Sequence, residues 1–188
     1  MKLDPPRTAF VAIDLQKGIA GMPTVPHPPR DVIKNAKAMA DALRDKGGFV
    51  VWVRVAMSKD GKDRLELPCD APWKGGPMPP DWSELVPELG VQPSDHVVTK
   101  KQWGTFYGTD LELQLRRRGL DTIVLCGIAT CFGVESTARD AYERGFCQIL
   151  VEDAMSCMTA EGHEHAIKRV FPRMGLVRST SDVLAGLR

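Results

Sequence analysis

The feature that most constrains this chain is an alternation of short, uninterrupted apolar runs with stretches of helical periodicity. Residues 8–13 (TAFVAI) form one such run, which ends at Asp14 and reads as a buried strand. Residues 31–46 then place Val32, Ala36, Met39 and Leu43 at helical spacing, and Gly47-Gly48 stops the pattern. Residues 49–55 are a second apolar run, 96–99 a weaker third, and 122–126 a fourth. A helix is predicted over 133–144, with Val134, Ala138, Ala141 and Tyr142 on one side and Gly145 closing it. A fifth strand is predicted over 148–151, then a helix near 161–171, and after Gly175 a short strand and a terminal helix. Such alternation predicts a doubly wound, mostly parallel sheet with helices on both faces, of Rossmann-like order.

A length of 188 residues suits one domain, taken as residues 1–188, with one sizeable core. A formal net charge of +1 gives no electrostatic footprint for nucleic acid or an anionic membrane, so neither is expected as a partner. The basic run Arg116–Arg118 precedes Gly119 and reads as a solvated helix end, where cations complement the helix dipole. No apolar stretch approaches the ~18 residues a membrane span needs, and the first residues do not read as a signal peptide. The five cysteines (Cys69, Cys126, Cys131, Cys147 and Cys157) are odd in number and form no CxxC pair. That pattern argues against a disulfide framework or a structural zinc site, and makes a reducing cytoplasm the expected compartment. Cys126 and Cys147, within apolar runs, are expected in the core.

Two long irregular stretches, 21–30 and 56–80, break the rhythm, and loops of this length usually carry function. Trp73 and Trp82 lie in or beside the second; closing over a ligand and packing between subunits are both open readings.

In a doubly wound sheet, ligands bind beyond the carboxyl ends of the strands where strand order reverses. Asp14 ends the first run, Lys100 follows the third, and the turn 127–133 (GIATCFG) follows the fourth, so all three converge on one crevice. An aspartate beside a lysine in a water-poor crevice is a candidate general acid or base, each shifting the other's protonation. The turn leads into a helix whose first N–H groups lack intrahelical partners, which suits a carboxylate or a developing oxyanion. On their own, Asp14 also fits a capping or turn role and Lys100 a surface role.

Three segments resemble, in order and spacing, the motifs of isochorismatase-like hydrolases. Residues 12–17 (AIDLQK) are similar to the aspartate motif, and 100–106 (KKQWGTF) with 108–111 (GTDL) to the lysine motif. Residues 127–130 (GIAT), with 134–138 (VESTA) and Asp140-Ala141, are similar to the nucleophile turn. The resemblance implies a doubly wound fold, hydrolysis of a small molecule, a homodimer or homotetramer, and an Asp-Lys-Cys triad. It further implies a non-proline cis peptide at Ile128–Ala129, substrate contacts at Gln16, Phe106, Ala129 and Thr130, and catalytic roles for Asp14 and Lys100. Arg54, near the end of the second run, is a further candidate contact for a carboxylate.

The family's cysteine falls at Gly133, which has no side chain with which to form an acyl-enzyme. Three readings follow. The chain hydrolyses its substrate with water directly, Asp14 acting as the acid and the backbone around Gly133 stabilising an anion. Or Cys131, just before a helix N-terminus, replaces the missing nucleophile, as in an amidase-type cysteine hydrolase. Or the fold is an inactive binding or regulatory module. No cofactor is expected. No metal is expected either, because residues 55–58 (VAMS) lack the Asp-x-His of metal-dependent relatives, and His163 and His165 point to different sides of their predicted helix.

Overall fold

The computed structural model describes residues 2–72 and 78–187; Trp73 lies outside them. Among the described residues six strands form one sheet in the order β3-β2-β1-β4-β5-β6, every neighbouring pair parallel. They are β1 (Thr8–Ile13), β2 (Phe49–Val55), β3 (His96–Lys100), β4 (Thr122–Ile128), β5 (Cys147–Ser156) and β6 (Leu176–Arg178). Strand order reverses between β1 and β4, so the crevice lies where the sequence pattern puts it.

Helices cover both faces, which explains why the central strands read as continuous apolar runs rather than alternating ones. One face packs Phe10, Ala12, Trp52, Val124 and Val151 against α2 (Pro29–Arg44) and α6 (Thr180–Gly186). The other packs Val11, Ile13, Val53, Val98 and Leu125 against α3 (Leu111–Arg117), α4 (Glu135–Glu143) and the stretch after α5 (Ala160–His165). A short α1 (Lys17–Ala20) follows β1. No helix among the described residues is long and apolar enough to cross a membrane.

Several boundaries move for physical reasons. Helix α2 begins at Pro29, whose missing N–H and fixed φ suit the first helical turn. Strand β5 runs to Ser156 rather than stopping at Val151, past a register shift against β4 between Leu125 and Gly127. The helix expected over 133–144 is α4 preceded by one π-helical turn at Thr130–Val134. Tyr142, expected on the apolar side, is exposed, and so is Cys147, at the outer end of β5. Trp82 lies half-buried over Gly18, where any Cβ would overlap the indole ring.

One glycine positions the crevice. Gly127 (φ +123°) lies opposite Ile13 in the β1–β4 register, and a Cβ on it would overlap the Ile13 backbone. This close approach sets the end of β1, where Asp14 takes φ +54°, a left-handed conformation Asp tolerates better than most residues. Gly127→Ala is expected to lower the urea midpoint by an amount equivalent to about 3 kcal/mol or more. An unchanged midpoint would show that the two strands do not need this approach.

Candidate active site

The end of β1, the end of β3 and the turn after β4 meet at the crevice. Lys100 Nζ donates to Asp14 Oδ2 at 2.7 Å and to the Gln102 carbonyl at 3.0 Å. Both side chains are nearly sealed from solvent, at 5% exposure for Asp14 and 2% for Lys100. Asp14 N donates to the Val53 carbonyl, which anchors the backbone of the site to β2. Burial pushes the Asp14 carboxyl up to about 6, against the opposing pull of the Lys100 ammonium and its hydrogen bond. Asp14 Oδ1 is buried and has no hydrogen-bond partner among the described residues. Since Oδ2 already accepts from Lys100, a proton on this carboxyl resides on Oδ1.

Gly133 completes the site through what it lacks. A Cβ built there would lie 3.2 Å from Asp14 Oδ2, 2.9 Å from Ile13 Cγ2 and 3.4 Å from the Trp103 carbonyl oxygen. A side chain at this position would therefore abut the Asp14 carboxylate. The turn is held from inside by Thr137 Oγ1, which donates to the Gly133 carbonyl at 2.7 Å and is itself 3.0 Å from Thr105 Oγ1. The Phe132 and Val134 N–H groups both turn back to the Ala129 carbonyl. The Ile128–Ala129 peptide is cis, at the bond that the resemblance indicates. Beside the turn, the exposed rings of Trp103 and Phe132 meet with centroids 5.0 Å apart.

Other candidates are engaged elsewhere. Gln16 is fully buried; its amide nitrogen donates to the Val55 and Trp82 carbonyls and its oxygen accepts from Val55 N. It therefore ties β1 to the end of β2 and to the loop carrying Trp82, with its amide atoms turned to the chain itself. Phe106 is 5% exposed and packs on Phe146 with Arg144 over its ring. Arg54 donates to Thr99 Oγ1 and faces a separate open hollow of about 560 Å³, lined also by Glu84, Val86 and Val97. Along β2 and β3, Val53 and Val98 belong to the α3–α4 face, so Arg54 and Thr99 lie on the opposite face from Lys100. Ala129 belongs to the α2-side core, and Thr130 is fully buried.

Cys131 is corrected more sharply. It forms a disulfide with Cys157, their Cα atoms 6.4 Å apart, a single link where the cysteine pattern argued against a disulfide framework. Its sulfur lies toward α5, 3.1 Å from where a Cβ on Gly162 would be, and Cys131 packs on the α2-side core. Gly133, two residues on, packs against Ile13 of the other core. The turn thus reaches both cores, and while it is bonded to Cys157 the Cys131 sulfur is no free nucleophile for the Asp14–Lys100 pair.

Sequence reasoning missed the partner of Thr130. Thr130 Oγ1 lies 2.9 Å from Nδ1 of His163, a contact across 33 positions with no local signature. His163 is 7% exposed, with His27 edge-on at 5.7 Å. Burial, assisted by His27, pushes its imidazole down to about 4. His163 is therefore neutral at pH 7, and protonation favours the unfolded chain.

Comparisons with known proteins agree with this architecture. The isochorismatase domain model matches residues 8–182. Among relatives, the uncharacterized isochorismatase family protein YwoC of Bacillus subtilis is 51% identical over 186 residues, covering 98% of this chain and 96% of the relative. The corresponding figures for YecD of Escherichia coli O157:H7, also an uncharacterized isochorismatase family protein, are 46% over 187 residues and 100% of both chains. A solved isochorismatase family protein from Burkholderia thailandensis has a TM-score of 0.95 at 45% identity, covering 99% of this chain and 97% of that one. The fold and the family match define a hydrolase domain built on a doubly wound α/β sheet. The chain belongs to the isochorismatase family.

The His163 geometry sets a pH dependence for stability. Its folded-state value of about 4 lies below the ordinary 6.5, so the contribution is complete above about pH 6.5 and is lost as pH falls toward 4. The loss is on the order of 3 kcal/mol, and a His163→Asn variant is expected to lack this part of the acid-side slope in urea unfolding. An identical slope in variant and parent would remove His163 as its source.

Proposed function

We propose that this protein hydrolyses a small unsaturated ether, with Asp14 as general acid, Lys100 as its electrostatic partner, and water as the nucleophile. The observation that carries the reading is the bare backbone of Gly133 facing an intact buried Asp14–Lys100 pair. Gly133 stands where the resemblance places the family's cysteine, so an acyl-enzyme has no atom on which to form. The acid and its partner remain.

An enol ether fits this set of groups. The Asp14 proton passes from Oδ1 to the terminal carbon of the C=C bond, whose π pair forms the new C–H bond. The carbon bearing the ether oxygen becomes an oxocarbenium centre, stabilised by the adjacent carboxylate that Asp14 has become. Water adds to that carbon and returns a proton to Asp14. The hemiketal then breaks its C–O bond to give a carbonyl compound and an alcohol. Burial supplies what the step requires: a carboxyl raised to about 6 keeps a useful protonated fraction close to neutrality. Lys100 on Oδ2 orients the group and limits how far its affinity for protons rises. Trp103 and Phe132, exposed beside Gly133, offer an apolar wall to a flat, conjugated substrate.

A screen of the purified protein against enol ethers, amides, ureides and esters tests the reading. Turnover of an enol ether is expected, and Asp14→Asn should reduce it by about 10²–10⁴-fold while the folded protein survives. The reacting form is the protonated acid, so kcat/KM should fall about tenfold per pH unit as pH rises above about 6. Amide turnover that survives in Asp14→Asn, or a rate that rises through pH 6, would sink the acid role. No turnover with any class would leave a binding module as the better account.

A further inference from the structure

The disulfide joins the turn that carries Gly133 to the end of β5, a link the hydrolytic reading does not use. Cys131 lies two residues before Gly133, and Cys157 one residue after β5. Cys157 is 1% exposed and also pairs by backbone with Val25 of the 21–30 loop. Cys131 is half-buried and so the more accessible sulfur. Both sulfurs border Gly162, where a Cβ would lie 3.1 Å from Cys131 Sγ and 3.5 Å from Cys157 Sγ. The missing side chain lets α5 pass close over the pair.

The geometry points to Cys131 and Cys157 as a reversible redox site, a dithiol that disulfide-bearing oxidants close and thiols reopen, clamping or freeing the Gly133 turn. The oxidant is a low-molecular-weight disulfide of the glutathione class. The Cys131 thiolate attacks one of its sulfurs and expels a thiolate, giving a mixed disulfide on Cys131. The Cys157 thiolate then attacks the Cys131 sulfur and expels the second thiolate. Two protein thiols are oxidised, one external disulfide is reduced to two thiols, and the two protons go to the leaving thiolates.

Neither of the turn's other anchors runs through the sulfurs: Thr130 Oγ1 meets His163 Nδ1, and Thr137 Oγ1 donates to the Gly133 carbonyl. Opening the link frees the stretch between those two anchors, Cys131 and Phe132. The other cysteines are free: Cys126 is buried, and Cys69 and Cys147 are exposed. The effect on catalysis rests on the proposed role of Asp14 and Gly133, whereas the redox site itself does not.

The test equilibrates the full-length protein in glutathione buffers from fully reduced to fully oxidised. Alkylation with peptide mapping and amide hydrogen exchange of residues 128–134 then follow, and neither readout needs a substrate. A cross-linked peptide containing Cys131 and Cys157 should appear on oxidation and vanish with dithiothreitol. Exchange in the turn should slow at least several-fold on closure, and the melting midpoint should rise by about 5–10 °C, as expected for a bond closing a loop of this length. Cys131→Ser and Cys157→Ser should each abolish all three responses, and Cys147→Ser should retain them; either of the first two variants suffices if the other fails to fold. Free thiols at both positions under every buffer would overturn the proposal, as would a link that forms without changing exchange in the turn. Failure of the hydrolase reading would leave these outcomes untouched.

Discussion

The buried ion pair between Lys100 and Asp14 is the interaction around which the ends of β1 and β3 and the turn after β4 are arranged. Moving a carboxylate and an ammonium out of water costs several kcal/mol each, which a single contact barely offsets, so the pair is a poor device for stability. It is a good device for holding a proton near neutrality. The carboxyl is pushed up by burial and pulled back by the ammonium, and it settles at about 6 because burial prevails. The surrounding architecture serves that placement. Gly127 lets β4 approach the end of β1, Asp14 turns through a positive φ, and β3 delivers Lys100 from two strands away.

The turn after β4 presents different residues to the two faces of the sheet. On the α3–α4 side, Gly133 presents bare backbone to the Asp14 carboxylate. On the α2 side, Thr130 and Cys131 are gripped by His163 and Cys157, both in the segment that follows β5. A nucleophile cannot move from 133 to 131 along such a turn, because two steps carry the sulfur to the other side of the sheet. The same geometry lets a bond at Cys131 act on the backbone at Gly133 while staying out of the crevice.

Much of the fold was legible because the central strands are buried on both faces and so appear as unbroken apolar runs; β1 and β2 have the bounds that the sequence pattern predicts. The convergence of Asp14, Lys100 and the 127–133 turn followed from strand order alone. What stayed hidden depends on contacts between distant residues. Nothing local marks Thr130 as the partner of His163, or Cys131 as that of Cys157, 26 positions away. Gln16 and Phe106 sit within motif segments, yet burial turns one to backbone carbonyls and the other to Phe146. Cys147 read as core because its neighbours are apolar, but it is the first residue of β5, at the end of the strand where the sheet meets solvent.

The most direct test of this account is a titration of the Asp14 carboxyl carbon by ¹³C NMR in the unliganded protein, with Asp14→Asn identifying the resonance. A midpoint of about 6 is expected, well above the ordinary 3.8, because burial outweighs Lys100. A midpoint at or below 3.8 would mean that the lysine dominates and Asp14 is a permanent anion. The general-acid reading built on it would then be contradicted.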